Sequence, residues 1–190
     1  MDFFRGDNRA QSDMVLQSKG FTSKGSPDRD GNAARKFLLD QFSSPAIKTP
    51  HDLAFKWRVQ TPGGLIATAM VEDGAYTQTH YFYKITIPDN ELTFRRYLKG
   101  GAIGPEVPLS SVLEQRDYLI MHNGSSYETA DIIALYHGKA NTKEVTFITP
   151  IPPRYISGFR AGAHTGSSHI PFIPFHRPAN APWKSPYPIR

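Results

Sequence analysis

The sequence predicts an α+β fold: two packed, mainly antiparallel β-sheets flanked by helices. Three observations carry this. Apolar runs of strand length recur at Phe3-Phe4, Leu65 to Met70, His80 to Pro88 and Glu144 to Ile148, set off by Gly, Pro, Asn or Asp. Short segments with helical signals lie between them, near Met14, over Ala33 to Phe42, around Asp52 to Trp57 and over Leu113 to Leu119. A chain of 190 residues makes one domain with a core large enough for two sheets.

The elements follow in order. Phe3-Phe4 leads straight into Arg5-Gly6-Asp7-Asn8-Arg9, a strand whose polar end comes almost at once. Ser12 or Asp13 can cap a helix through Met14, Val15 and Leu16, which Gly20 ends before Phe21. Residues 22–32 are loop by composition. The helix from Ala33 places Phe37, Leu38 and Phe42 on one face. Gly63-Gly64 then turns the chain into Leu65 to Met70, a strand of small residues over which another group is expected to pack closely. After a short polar link, His80 to Pro88 is the strongest strand signal, aromatic and β-branched, and Pro88-Asp89-Asn90 stops it.

Phe94 to Leu98 fits strand and short helix alike, and Gly104 to Pro108 is Pro-punctuated. Ser110-Ser111 can cap a helix to Leu119, while Ser125 to Tyr136 is ambiguous between helix and strand. His137 to Ala140 is a turn that delivers the chain to Glu144, where Val145 and Phe147 alternate as a strand before Ile151-Pro152 and a short second element. After residue 160 the composition shifts. Residues 161–190 run from Gly and Ser to Pro interleaved with Phe172, Phe175, Trp183 and Tyr187, which favours extended structure that wraps the body or docks a partner.

Composition bounds the function. No run of about twenty apolar residues can form a membrane-spanning helix, and no basic-then-apolar leader opens the chain. The absence of cysteine excludes disulfides, thiolate catalysis and Cys-ligated metal sites. The net charge is +5, of which residues 161–190 contribute +3 through Arg177, Lys184 and Arg190, so the body carries little surplus charge for nucleic acid. The His residues show no close pair at ligand spacing, and no metal is expected.

Two positions carry candidate chemistry. Glu144 stands where a loop enters a strand, so its carboxylate is held by the sheet yet faces the space lined by the loop, an arrangement suited to a developing positive charge. Arg5, at a strand end, offers a planar cationic fork for phosphate or carboxylate, with Gly6 allowing a ligand close to the backbone. A surface ion pair of Arg5 or Arg9 with Asp7 is the plainer alternative.

Taken together, these segments resemble the mono-ADP-ribosyltransferase toxins of the pertussis and cholera toxin kind. Phe4-Arg5-Gly6-Asp7-Asn8-Arg9 with Gly20-Phe21-Thr22 is similar to the family's opening element, and Ile66-Ala67-Thr68-Ala69 falls where the family has Ser-Thr-Ser. Tyr81 to Ile85 matches its aromatic strand; Lys143-Glu144-Val145-Thr146-Phe147, with Ile151-Pro152 and Ile156-Ser157-Gly158, matches its catalytic-Glu strand and following turn. The resemblance covers residues 3–160 in short islands. It departs at Ala67 and Ala69, which lack the hydroxyls of the family's serines, and at Thr142, where the family usually has Glu or Gln.

The resemblance implies a catalytic domain over residues 1–160 with an NAD cleft between its sheets, and residues 161–190 as an extension. It makes Glu144, Thr68 and Thr142 the catalytic set and Arg5, Gly6, Asp7, Arg9 and Thr68 the NAD-binding set, with Thr68 bonding Glu144 across adjacent strands. Tyr136 and His137 are further candidates for contacting the acceptor. NAD is the substrate and no metal is needed. The acceptor is a macromolecule, protein before nucleic acid, and a cognate immunity or delivery protein is a candidate partner. The expected setting is a secreted or delivered toxin module, the C-terminal part of a longer protein, acting in the target-cell cytoplasm. The alternatives are a catalytically impaired binding module of the same fold, and a transferase or binder acting on nucleic acid.

Overall fold

The computed structural model describes residues 1–22, 36, 40, 44–46, 49, 52–53, 55, 66–75, 78–97, 103–108, 119–125, 129–136, 143–162 and 171–175. Among the described residues its strands are β1 (Asp2–Asp7), β2 (Ile66–Ala69), β3 (Tyr81–Thr86), β4 (Thr93–Tyr97), β5 (Ile103–Val107), β6 (Leu119–His122), β7 (Ile133–Tyr136), β8 (Glu144–Phe147), β9 (Ile156–Ala161) and β10 (Ile173–Pro174), and α1 (Met14–Lys19) is a short helix described over its whole length. All ten strands join one sheet in the order β10-β9-β3-β1-β2-β8-β7-β6-β4-β5, and every pairing is antiparallel.

This corrects the expected fold class. The protein is a mostly antiparallel β structure with very little helix among the described residues, not an α+β fold of two sheets flanked by helices. The ladder is continuous because Phe4 pairs with Ala69, joining β1 to β2, and β2 in turn pairs with β8. Local periodicity marks strands but does not state which strands pair, and a single pair of residues decides between one sheet and two.

That junction also bends the sheet. In a flat sheet of this register Phe3 and Phe147 would stand two strands apart, about 10 Å, and about four residues out of step, about 13 Å. Their rings instead meet edge-on with centroids 5.3 Å apart. The sheet therefore folds back at the β1–β2 seam, so that Phe3, Ile85 and Ile156 from one half share a core with Phe94, Met121 and Val145 from the other.

The local elements follow from their residues. Asp13 caps α1 by accepting from the Leu16 N–H at 2.8 Å, and Gly20 ends it at φ +72°. A Cβ on Gly20 would lie 1.9 Å from the Ile151 carbonyl oxygen. Only glycine lets Phe21 exchange both backbone bonds with Ile151, at 3.0 and 2.9 Å. Thr49 and Asp52 form a reciprocal capping pair, Thr49 N–H to Asp52 at 2.9 Å and Asp52 N–H to Thr49 at 3.1 Å. Lys36, Asp40, Asp52, Leu53 and Phe55 are helical; the remainder of both expected helices lies outside the described residues.

One segment differs from expectation, and two that the sequence left open are strands. Leu119, expected to end a helix, opens β6, and residues 110–118 lie outside the described residues. Gly104 to Val107 is strand despite Pro105, because β5 is the edge of the sheet and has a partner on one side only. The ambiguous segment before residue 137 ends as the fully buried strand β7. Part of the C-terminal extension packs on the body: Phe172 lies 6.0 Å from Phe4, and Phe175 meets Tyr83 at 6.2 Å.

Candidate ligand site

Among the described residues, only Phe4 and Ala69 pair across the β1–β2 seam. On one side of that pair, Arg5 to Asp7 and Ile66 to Thr68 splay apart, and a cleft of about 560 Å³ opens there. It is lined by Arg5, Gly6 and Asp7 of β1, Ala67 and Thr68 of β2, and Glu144 of β8. Asn8, Gly74, Ala75, Gln78 and Thr79 complete the described wall. The cleft thus lies in a split within one sheet and not between two sheets.

Arg5 bridges the split. Its Nη1 donates to the Ala67 carbonyl at 2.8 Å, in place of a ladder bond between the splayed strands, and its Nη2 reaches Asp7 at 3.3 Å. Its Nε is buried and has no partner among the described residues. Burial lowers the Arg5 pKa from its ordinary value, Asp7 opposes that and Arg9 adds to it. Guanidinium nevertheless stays charged at neutral pH.

Asp7 is the anchor of this cation pair. Arg9 grips it with Nε at 2.9 Å, Nη2 at 2.8 Å and its backbone N–H at 3.0 Å. Burial by itself would push the carboxyl up; the Arg9 bonds and the charges of Arg9 and Arg5 outweigh it and hold the pKa at about 2. Both guanidinium groups also lie over the Phe21 ring, at 5.4 and 5.5 Å. The ion pair and the ligand fork, read from sequence as alternatives, therefore coexist, and the cluster carries a net charge of +1. Arg9 stands behind Asp7 and is not part of the described lining.

Glu144 opens β8 opposite Ala69. It is half-buried, and among the described residues none bonds or ion-pairs with its carboxylate. Lys143, just before it, adopts φ +42°, and its carbonyl accepts from the Met70 N–H at 3.1 Å. A left-handed residue with a pinned carbonyl is a sharp entry into the strand, and it fixes the backbone from which Glu144 projects.

The expected Thr68–Glu144 bond is absent. Register pairs Thr68 with Val145 and Ala69 with Glu144, so Thr68 shares a face with Val145 and Phe147, while Glu144 shares the opposite face with Ala67 and Ala69. The Thr68 hydroxyl donates to the Val145 carbonyl at 2.9 Å instead. The two alanines that replace the resembled family's serines are the β2 residues on the carboxylate's side.

Of the expected residues, Arg5, Gly6, Asp7, Thr68 and Glu144 line the cleft together. Tyr136 does not belong with them: it pairs with Val145 in the core and is 3% exposed. Thr142 and His137 lie outside the described residues. The wall residues Gly74, Ala75, Gln78 and Thr79 carried only one signal in the sequence, a short polar link between two strands. No group of three or more His, Asp or Glu residues is arranged to hold a metal among the described residues, and no described helix is long and apolar enough to cross a membrane. Compared with models of known protein families the sequence matches none, and no curated protein matches it either.

Proposed function

We propose that the chain is an NAD-dependent mono-ADP-ribosyltransferase, a toxin or effector domain that transfers ADP-ribose to a macromolecular acceptor. The observation that carries this reading is the meeting of Arg5 and an uncommitted Glu144 carboxylate in one cleft, on either side of β2. The cleft volume falls within the usual range for small-molecule sites.

In this reading the bond between nicotinamide and ribose C1′ breaks, its electron pair leaves with nicotinamide, and positive charge develops on the sugar. Glu144 stabilises that charge and a ribose hydroxyl. The acceptor's nucleophile then closes on C1′ and releases its proton. Arg5 holds an anionic or ribose oxygen through the Nη hydrogens that Ala67 and Asp7 do not use, with Gly6 offering close backbone approach. Asp7 and Arg9 keep Arg5 in place. Thr68 braces β2 against β8, and Thr142 remains a candidate for choosing the acceptor.

A second reading, a binding module with impaired catalysis, is favoured by one observation: Ala67 and Ala69 put no hydroxyl on the face of Glu144. Incubation with NAD and measurement of nicotinamide release decides between them. Release that Glu144→Ala abolishes supports the transferase, and no release with or without cell lysate supports the binding module. Labelled NAD with lysate, divided between protease and nuclease treatment, then identifies the acceptor as protein or nucleic acid. The toxin setting carries with it delivery into a target cell and a cognate immunity or delivery protein.

A further inference from the structure

The segments Glu72–Ala75 and Gln78–His80, which supply the wall residues Gly74, Ala75, Gln78 and Thr79, are tied to the end of β9 and to the residue just after it. At one end the Arg160 Nη2 donates to Glu72 at 2.8 Å. At the other the Gly162 N–H donates to the His80 carbonyl at 2.8 Å, in an approach so close that a Cβ on Gly162 would lie 1.8 Å from the Thr79 carbonyl oxygen. Arg160 pairs with Phe82 in the ladder and is itself buried, 8% exposed.

What holds Arg160 comes from far along the chain. Its guanidinium sits against two adjacent rings, 5.0 Å from the centroid of Phe82 and 4.7 Å from that of Phe172, whose own centroids are 6.2 Å apart. Phe172 precedes β10, which pairs with β9 through Ile173–Phe159 and Pro174–Gly158. The same Phe172 ring lies 6.0 Å from that of Phe4, the residue that pairs with Ala69 across the β1–β2 seam. None of Arg160, Phe172 and Glu72 lines the cleft itself.

We propose that Arg160, seated against the Phe82 and Phe172 rings and clamping Glu72, is a positioning residue for the cleft wall, so that the segment Pro171–Phe175 is a working part of the ligand site. Contact with two adjacent aromatic rings restricts the guanidinium, so the pair with Glu72 fixes the wall at lower entropic cost than a free surface pair does. Phe172 serves both banks of the cleft. It backs the wall through Arg160 and the β1 bank through Phe4. The consequence for ligand affinity rests on the NAD reading of this cleft; the clamp itself does not.

The test uses the full chain with Glu72→Gln, which alters a half-exposed side chain and keeps its shape, and with Phe172→Leu. Amide exchange at Glu72–Ala75 and Gln78–His80 is compared with exchange at Ile133–Tyr136, alongside NAD binding by calorimetry. The clamp predicts that Glu72→Gln speeds exchange in the wall by about fivefold, as expected for loss of one well-oriented ion pair, while β7 keeps its protection. NAD affinity is predicted to fall by a similar factor. Wall exchange equal to wild type in Glu72→Gln overturns the proposal, and so does faster wall exchange with unchanged NAD affinity. If Phe172→Leu loosens β7 as well, Glu72→Gln decides. If the wild-type protein binds no NAD, the functional reading fails by itself, and the exchange comparison still settles whether the clamp exists.

Discussion

Replacing Asp7 by Asn removes the one carboxylate that two arginines share. In the wild-type protein that group accepts from Arg9 at 2.8, 2.9 and 3.0 Å and from Arg5 at 3.3 Å, with its side chain 3% exposed. Its pKa falls from 3.8 to about 2 on folding. At about 1.4 kcal/mol per pH unit, and with some allowance for screening, that difference is worth roughly 2 kcal/mol at neutral pH. Leaving two partly buried guanidinium groups facing each other without a counter-charge adds to the loss, so Asp7→Asn is expected to cost about 2–4 kcal/mol at pH 7. The sign with pH follows from the depressed pKa. The contribution is complete above about pH 4 and disappears as pH falls towards 2, so the wild-type and variant stabilities converge over that interval. Urea unfolding followed by far-ultraviolet circular dichroism, at intervals from pH 7 down to 2.5, measures both curves. A loss below about 0.5 kcal/mol at pH 7, or curves that stay parallel down to pH 2.5, would refute the shared-carboxylate account.

Other substitutions separate structural from functional roles. Glu144→Gln should leave unfolding stability within about 0.5 kcal/mol of wild type, since no described group holds the carboxylate, yet lower NAD cleavage at least ~100-fold in a radiolabelled-nicotinamide assay. Thr68→Val should cost about 1 kcal/mol by losing the bond to the Val145 carbonyl, and NAD turnover should stay within about threefold of wild type; a loss as large as that of Glu144→Gln would show that the hydroxyl acts on the ligand. Gly20→Ala places a Cβ against the Ile151 carbonyl at a positive φ, and a thermal melt should register at least ~2 kcal/mol of destabilisation.

The sequence by itself determined the strands and caps whose signals are local. The alternation of Val145 and Phe147 marks β8, the aromatic run marks β3, and Asp13 with Gly20 brackets α1. It also named the two groups that meet in the cleft, Arg5 and Glu144, because a charge at the end of an apolar strand is a local feature. The tertiary structure decided what depends on pairing. The edge position of β5 admits Pro105, and one pair, Phe4 with Ala69, makes a single sheet where two were expected. The splay beside that pair creates the cleft. Register put Thr68 on the core face and the two alanines beside Glu144, since a shift of one residue exchanges the faces of a strand and no local pattern of small residues fixes it. The same holds for Arg160 and Phe172, separated in the chain and joined only where β9, β10 and the cleft wall come together.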